Sequence, residues 1–169
     1  MEPKWTWKMS TSLMRANAGQ IWPLVKDFFN IHKWFPGVPT GYGVHGTNGE
    51  VGCVRFNAGF QIPAFDGGDV SWSKERLTVV DPIQRLISYE ILDGNIGFKS
   101  YVSTIKVLPL PGAGEGEGCV IEWSVAVDPV PGWKMADLVK KYESGFQVMA
   151  KKMEDDALAA GTSEQAPAP

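Results

Sequence analysis

Residues 138–153, LVKKYESGFQVMAKKM, carry Leu138, Val139, Tyr142, Phe146, Met149 and Met153 at steps of mostly three or four. That period puts the apolar side chains in one stripe of a helix and leaves lysines and glutamate on the other side. With its flanks the helix is expected over about residues 134–159. Such a stripe is stable only when covered, and nothing before it in the chain is a second long helix.

What precedes it is a run of short extended segments. Residues 4–13 alternate, with Trp5, Trp7, Met9 and Leu13 on one side and Lys4, Thr6, Lys8 and Ser10 on the other, as in a half-buried strand. Asn17 then caps a helix through AGQIWPLVKDFF, where Pro23 falls in the first turns and its missing donor matters little. A second short helical piece, NIHKWF, stops at Pro36. Six further strands are expected around residues 42–45, 51–57, 70–80, 85–92, 99–108 and 119–127. Turn signals separate them, among them TNGE, DGGD, DGNIG and the Gly-rich PGAGEGEG. Repeated hairpin punctuation predicts an antiparallel meander, so the class is α+β: a curved seven-stranded sheet around a long C-terminal helix, with two short helices. One helix stripe cannot fill so curved a sheet, and a cavity is the expected result. Residues 1–159 read as a single domain, and 160–169, polar and proline-bearing, as a disordered tail.

Bulk properties narrow the partners. The chain has 169 residues, 44% hydrophobic and 21% charged, with a net charge of −3 and a pI near 5.4. That balance offers no electrostatic footprint for nucleic acid or an anionic membrane. There is no apolar run long enough to span a bilayer and no secretory leader at the N-terminus, so the expectation is a cytoplasmic protein, without membrane insertion, working as a monomer or weak homodimer on a small hydrophobic molecule. Cys53 and Cys119 lie in strand-like runs without metal spacing and read as small buried residues, and His32 and His45 lack a third ligand. No metal and no organic cofactor are expected. Of the tryptophans, Trp5, Trp7, Trp22 and Trp123 fit core periodicity, while Trp34, Trp72 and Trp133 suit a cavity mouth.

The anomaly lies in WSKERLTVVD, residues 72–81. Period two puts Glu75 on the same face as Leu77 and Val79, where a carboxylate needs a partner, a proton or a ligand. Arg55 repeats the anomaly between Cys53 and Asn57, Tyr89 between Ile87 and Ile91, and Tyr101 ahead of Ser103 and Ile105. Inward sides of successive strands face one space, so the four can meet there. Glu75 would shuttle a proton, Arg55 would hold a substrate oxygen, and the tyrosines would orient it. A buried Arg–Glu pair with two core tyrosines is the other reading of the same residues. The apolar surface of the cavity is expected from Trp34, Phe60, Phe98, Trp133 and Phe146.

The words IWPLVKDFFNIHKWFP, GYGVHGTNGEVGCVRF, WSKERLTVVD, ISYEI, GFKSYVSTIKVLP and VIEWSVAVDPV resemble the plant lachrymatory-factor synthase-like proteins of the polyketide cyclase/START, Bet v I-like superfamily. The resemblance implies the helix-grip fold. It also implies that Arg55 and Glu75 are catalytic and that Tyr89 and Tyr101 line the pocket. Residues 59–69, GFQIPAFDGGD, appear as a longer segment than that pattern has and should border the cavity mouth. The implied activity is cofactor-independent isomerisation, tautomerisation or cyclisation of a small hydrophobic metabolite, with a sulfenic acid rearrangement as one form. The alternative is a non-catalytic carrier or sensor.

Overall fold

A computed structural model describes residues 3–60, 62, 64, 70–112 and 116–164. Strand β1 (Trp5–Leu13) is followed by helix α1 (Ala18–Lys26), a 3₁₀ helix (Phe28–Lys33), strands β2 (Thr40–His45), β3 (Val54–Ala58), β4 (Trp72–Asp81), β5 (Leu86–Gly94), β6 (Val102–Pro109) and β7 (Cys119–Val127), and helix α2 (Met135–Glu164). The strands form one seven-stranded sheet in the order β1-β7-β6-β5-β4-β3-β2, antiparallel at every pairing. Meander and helix count follow the sequence reading. Helix α2 runs on to Glu164, past the expected end at Ala159, and the remainder of the expected tail lies outside the described residues.

Local chemistry explains the elements. Asn17 caps α1 reciprocally: its Oδ1 accepts from the Gln20 N–H at 2.9 Å, and Gln20 Oε1 accepts from the Asn17 N–H at 2.9 Å. The second short helix is 3₁₀ and begins at Phe28, directly after the α1 cap at Asp27. It can lie on the inner face of β2 because that strand carries glycines there. A Cβ on Gly43 would stand 2.3 Å from the Phe29 ring. Val51 is a turn residue, 63% exposed, and β3 starts only at Val54.

The sheet bends where its ladders slip, between Gly43 and His45 in β2 and at two points along β4. One slip corrects the period-two reading of β4: the register shifts between Leu77 and Val79, so Leu77 stays in the core and Val79 turns outward, 43% exposed.

Helix α2 closes the concave face with Leu138, Phe146, Met149 and Met153, all fully buried. It is tied to the end of β1 by Arg15, whose N–H donates to Glu154 Oε2 at 3.0 Å and whose guanidinium reaches Glu154 Oε1 at 3.1 Å and Asp155 at 2.8 Å. Phe146 lies at the middle of the stripe with its ring edge-on to Trp123, centroids 5.8 Å apart. Phe146→Ala should therefore cost about 3–5 kcal/mol of stability, measured by denaturant unfolding. A loss under about 1 kcal/mol would mean that α2 does not hold the core as described.

Candidate functional site

Between α2 and the sheet lies a cavity of about 570 Å³. Its floor is Arg55, Asn57, Glu75 and Tyr89, its walls include Phe35, Phe60, Ile62, Tyr101 and Trp123, and α2 contributes Tyr142 and Gly145. The exposed Pro36, Asp137 and Lys140 stand at the rim, so the mouth lies between the start of α2 and the loop before β2.

The floor is built by cross-strand pairing. Arg55 of β3 stands directly opposite Glu75 of β4, and Asn57 opposite Ser73, so four polar side chains point inward from two neighbouring strands. Arg55 Nε and Nη2 each lie 2.7 Å from Glu75 Oε1. Asn57 Nδ2 donates to the same oxygen at 3.2 Å, and Ser73 Oγ donates to Oε2 at 3.0 Å. Arg55 Nη1 donates to the Phe28 carbonyl at 2.8 Å. The guanidinium also packs against two neighbouring rings, 3.8 Å from the Phe28 centroid and 4.7 Å from that of Tyr89. Arginine and glutamate are 3% and 5% exposed, so the pair is stable only because partners occupy most of its donors and acceptors. Oε1 carries three donors, whereas among the described residues Oε2 takes one, and that oxygen keeps acceptor capacity.

A second polar row faces the cavity from the tyrosines. Tyr142 Oη donates to Tyr101 Oη at 3.1 Å, and Trp123 Nε1 donates to Ser103 Oγ. Burial holds the Tyr101 and Tyr142 hydroxyls well above the ordinary phenol value of 10.0, and Tyr89 moves the same way, with the Glu75 carboxylate as second cause. All three stay protonated as hydrogen-bond groups at neutral pH.

The sequence-derived set divides. Arg55, Glu75, Tyr89 and Tyr101 come together on one cavity, and Phe60 and Trp133 line it. Trp34, Phe98 and Phe146 do not. Trp34 ends the 3₁₀ helix and is buried in the core while its neighbour Phe35 takes the wall. Phe98 stacks on the Tyr101 ring, centroids 5.4 Å apart, off the cavity surface. Phe146 is behind Trp123. Trp72, expected at the mouth, stacks instead on Phe56 of the neighbouring strand. Of residues 59–69, Phe60 and Ile62 do border the cavity, and Gln61, Pro63 and 65–69 lie outside the described residues. Asn57, Ser73, Phe35, Trp123 and Tyr142 were missed as site residues. Asn57 and Ser73 had a legible signal, since each shares strand parity with Arg55 or Glu75.

Among the described residues, no group of three or more His, Cys, Asp or Glu side chains is placed to hold a metal ion, and no helix is long and apolar enough to cross a membrane. The raised phenol values make a pH prediction. Above pH 10 the unfolded chain releases these three protons while the folded chain retains them, so stability is complete below that pH and falls as pH rises past it. Absorbance at 295 nm should show phenolate from Tyr89, Tyr101 and Tyr142 appearing only with unfolding. Reversible ionisation of all three near pH 10 in folded protein would contradict their burial.

A family described as polyketide cyclase / dehydrase and lipid transport matches residues 6–154. MLP-like protein 31 of Arabidopsis thaliana is 31% identical over 128 residues, 73% of this chain and 70% of its own length. The abscisic acid receptor PYL2 of the same plant is 29% identical over 106 residues, 63% of this chain and 53% of its own, so the match spans about half of that receptor. Among solved structures, major latex-like protein 151 from Panax ginseng has a TM-score of 0.69 at 17% identity, covering 93% of this chain and 99% of its own. A norcoclaurine synthase point mutant from Thalictrum flavum, in complex with a transition-state analogue, has a TM-score of 0.66 at 21% identity, covering 95% and 99%. At those identities the two structures speak for the fold. With a family match across nearly the whole domain and a cavity enclosed as described, the chain belongs to the polyketide cyclase/dehydrase and lipid transport family, as a hydrophobic-ligand-binding protein of the Bet v I-like helix-grip fold.

Proposed function

We propose that the protein is a cofactor-independent enzyme that isomerises, tautomerises or cyclises a small hydrophobic molecule by moving a proton at Glu75. The observation that carries this reading is a buried, arginine-paired carboxylate at the floor of an apolar cavity, with one oxygen still able to accept. The ligand's apolar body packs among Phe35, Phe60, Trp123 and Trp133. Glu75 Oε2 takes a proton from the ligand, and the negative charge that develops on a ligand oxygen is held by the Arg55 cation and a tyrosine hydroxyl. Return of the same proton at another atom completes an isomerisation in which nothing is oxidised or reduced. For a carbonyl compound the charged species is an enolate. The resemblance to lachrymatory-factor synthase-like proteins makes a sulfenic acid the other substrate class, with Arg55 and a tyrosine anchoring its S–O group.

A second reading has its own observation in favour. Glu75 Oε1 already carries three donors and its charge is balanced inside the protein, so the pocket can take up an apolar ligand without proton chemistry. That describes a carrier or sensor, in keeping with a family description that includes lipid transport.

Glu75→Gln separates the two. The amide keeps the shape of the side chain but cannot accept and return a proton. A panel of small enolisable β,γ-unsaturated ketones and a sulfenic acid generated in place, followed by NMR in deuterated buffer, should show conversion by the native protein. The variant should be slower by about 10²-fold or more while calorimetry shows the ligand still bound. Equal rates in the two proteins would remove the proton-transfer role. Tight binding with no conversion across the panel would favour the carrier.

A further inference from the structure

Two buried polar atoms beside the cavity floor have no hydrogen-bond partner among the described residues, Asn57 Oδ1 and His32 Nδ1. They are neighbours. Gly41 stands opposite Asn57 in the β2–β3 ladder, and the point where a Cβ on Gly41 would sit is 2.7 Å from each of the two atoms, so they lie at most twice that distance apart. The space between them is closed: water reaches neither atom, and even a methyl group on Gly41 would collide with both. Whatever satisfies these atoms must come from the protein itself.

The chemistry allows one pairing. Asn57 Nδ2 donates to Glu75 Oε1, which fixes the amide and leaves Oδ1 able only to accept. Two lone pairs facing each other in a dry space are costly, whereas an Nδ1–H directed at Oδ1 satisfies both atoms. The turn about the His32 Cβ–Cγ bond that aligns them lies in a broad torsional well. Which ring nitrogen holds the proton is decided by such contacts.

The place of His32 in the chain gives this contact a consequence. The 3₁₀ helix Phe28–Lys33 holds Arg55 at its first residue, through the Phe28 carbonyl, and comes next to the Glu75 partner Asn57 near its end. We propose that His32 is a positioning residue of the site: its Nδ1–H holds the Asn57 carbonyl, and the Asn57 amide in turn fixes Glu75 Oε1, so that Oε2 is the oxygen left for the ligand. Its bearing on turnover rests on the reading of Glu75 as the proton-transfer group.

Two NMR measurements on the intact protein test the contact. The chain has two histidines and His45 is exposed, so the long-range proton–nitrogen spectrum of the rings at about pH 8.5 locates the His32 proton. It should sit on Nδ1, whereas a histidine ring without a partner holds it mainly on Nε2. Exchange of the Asn57 side-chain amide protons should quicken about tenfold in His32→Phe, which keeps a ring but no donor. In His32→Asn, whose Nδ2 falls where Nδ1 stood, it should return to within about twofold of the native rate. A ring that only packs would give the reverse order, with the phenylalanine variant native-like and the asparagine variant disturbed. If His32→Phe does not fold, His32→Leu takes its place. A native proton on Nε2, or Asn57 exchange unaltered by loss of the donor, would overturn the proposal. For any molecule of the panel above that the native protein converts, kcat should fall about tenfold in His32→Phe with KM within about twofold, and recover in His32→Asn. An unchanged kcat would overturn the positioning role. A native protein that converts nothing defeats the enzyme reading instead, and the ring spectrum and amide exchange still decide whether His32 holds Asn57.

Discussion

The buried pair of Arg55 and Glu75 is the constraint around which the rest of this structure is arranged. Two charges that are almost wholly dry cost several kcal/mol each to bury, and the cost is offset only by close partners in good geometry. Cross-strand pairing supplies the first of these, because β3 and β4 bring the two residues opposite one another. The others come from every side: the Phe28 carbonyl, the rings of Phe28 and Tyr89, the Asn57 amide and the Ser73 hydroxyl. Removing any one leaves a buried polar group short of a partner. The 3₁₀ helix, which looks like a mere connector in the sequence, is thereby a wall of the site.

That wall depends on β2. Gly41 and Gly43 face inward opposite Asn57 and Arg55, and larger residues there would push the Phe29 and His32 rings, and with them the Phe28 carbonyl, away from the guanidinium. The roof obeys a similar rule, since a Cβ on Gly145 of α2 would stand 2.7 Å from the Phe35 ring. Helix and loop approach closely at that point, and Phe35 is held edge-on to Trp123, centroids 5.6 Å apart. The shape of the cavity is thus set as much by where side chains are missing as by those that line it.

Periodicity made the fold legible. The apolar stripe from Leu138 to Met153 and the alternating strands specify a meander under one helix, and period two alone places Arg55 and Glu75 inward. What escaped was anything decided by a one-residue slip or a turn of direction. Val79 goes outward because β4 slips in register after Leu77. Trp34, expected on the cavity, is buried in the core, and its neighbour Phe35 lines the wall, because the end of a 3₁₀ helix turns the two side chains in different directions. Phe146 has the right face but sits where α2 is closest to Trp123, so it fills core and leaves the wall to Tyr142. Such choices depend on tertiary approach distances, which no local pattern carries.

The central claim is that the cavity floor formed by Arg55 and Glu75 receives the polar end of an apolar ligand. A crystal structure of the protein with such a ligand tests it most directly. The account predicts the ligand's apolar body between Phe35, Trp123 and Tyr101, with its polar atom within hydrogen-bonding distance of the Glu75 carboxylate, the Asn57 amide or a tyrosine hydroxyl. A ligand seated elsewhere, or a cavity closed by side chains with the Arg55–Glu75 pair sealed beneath them, would contradict it.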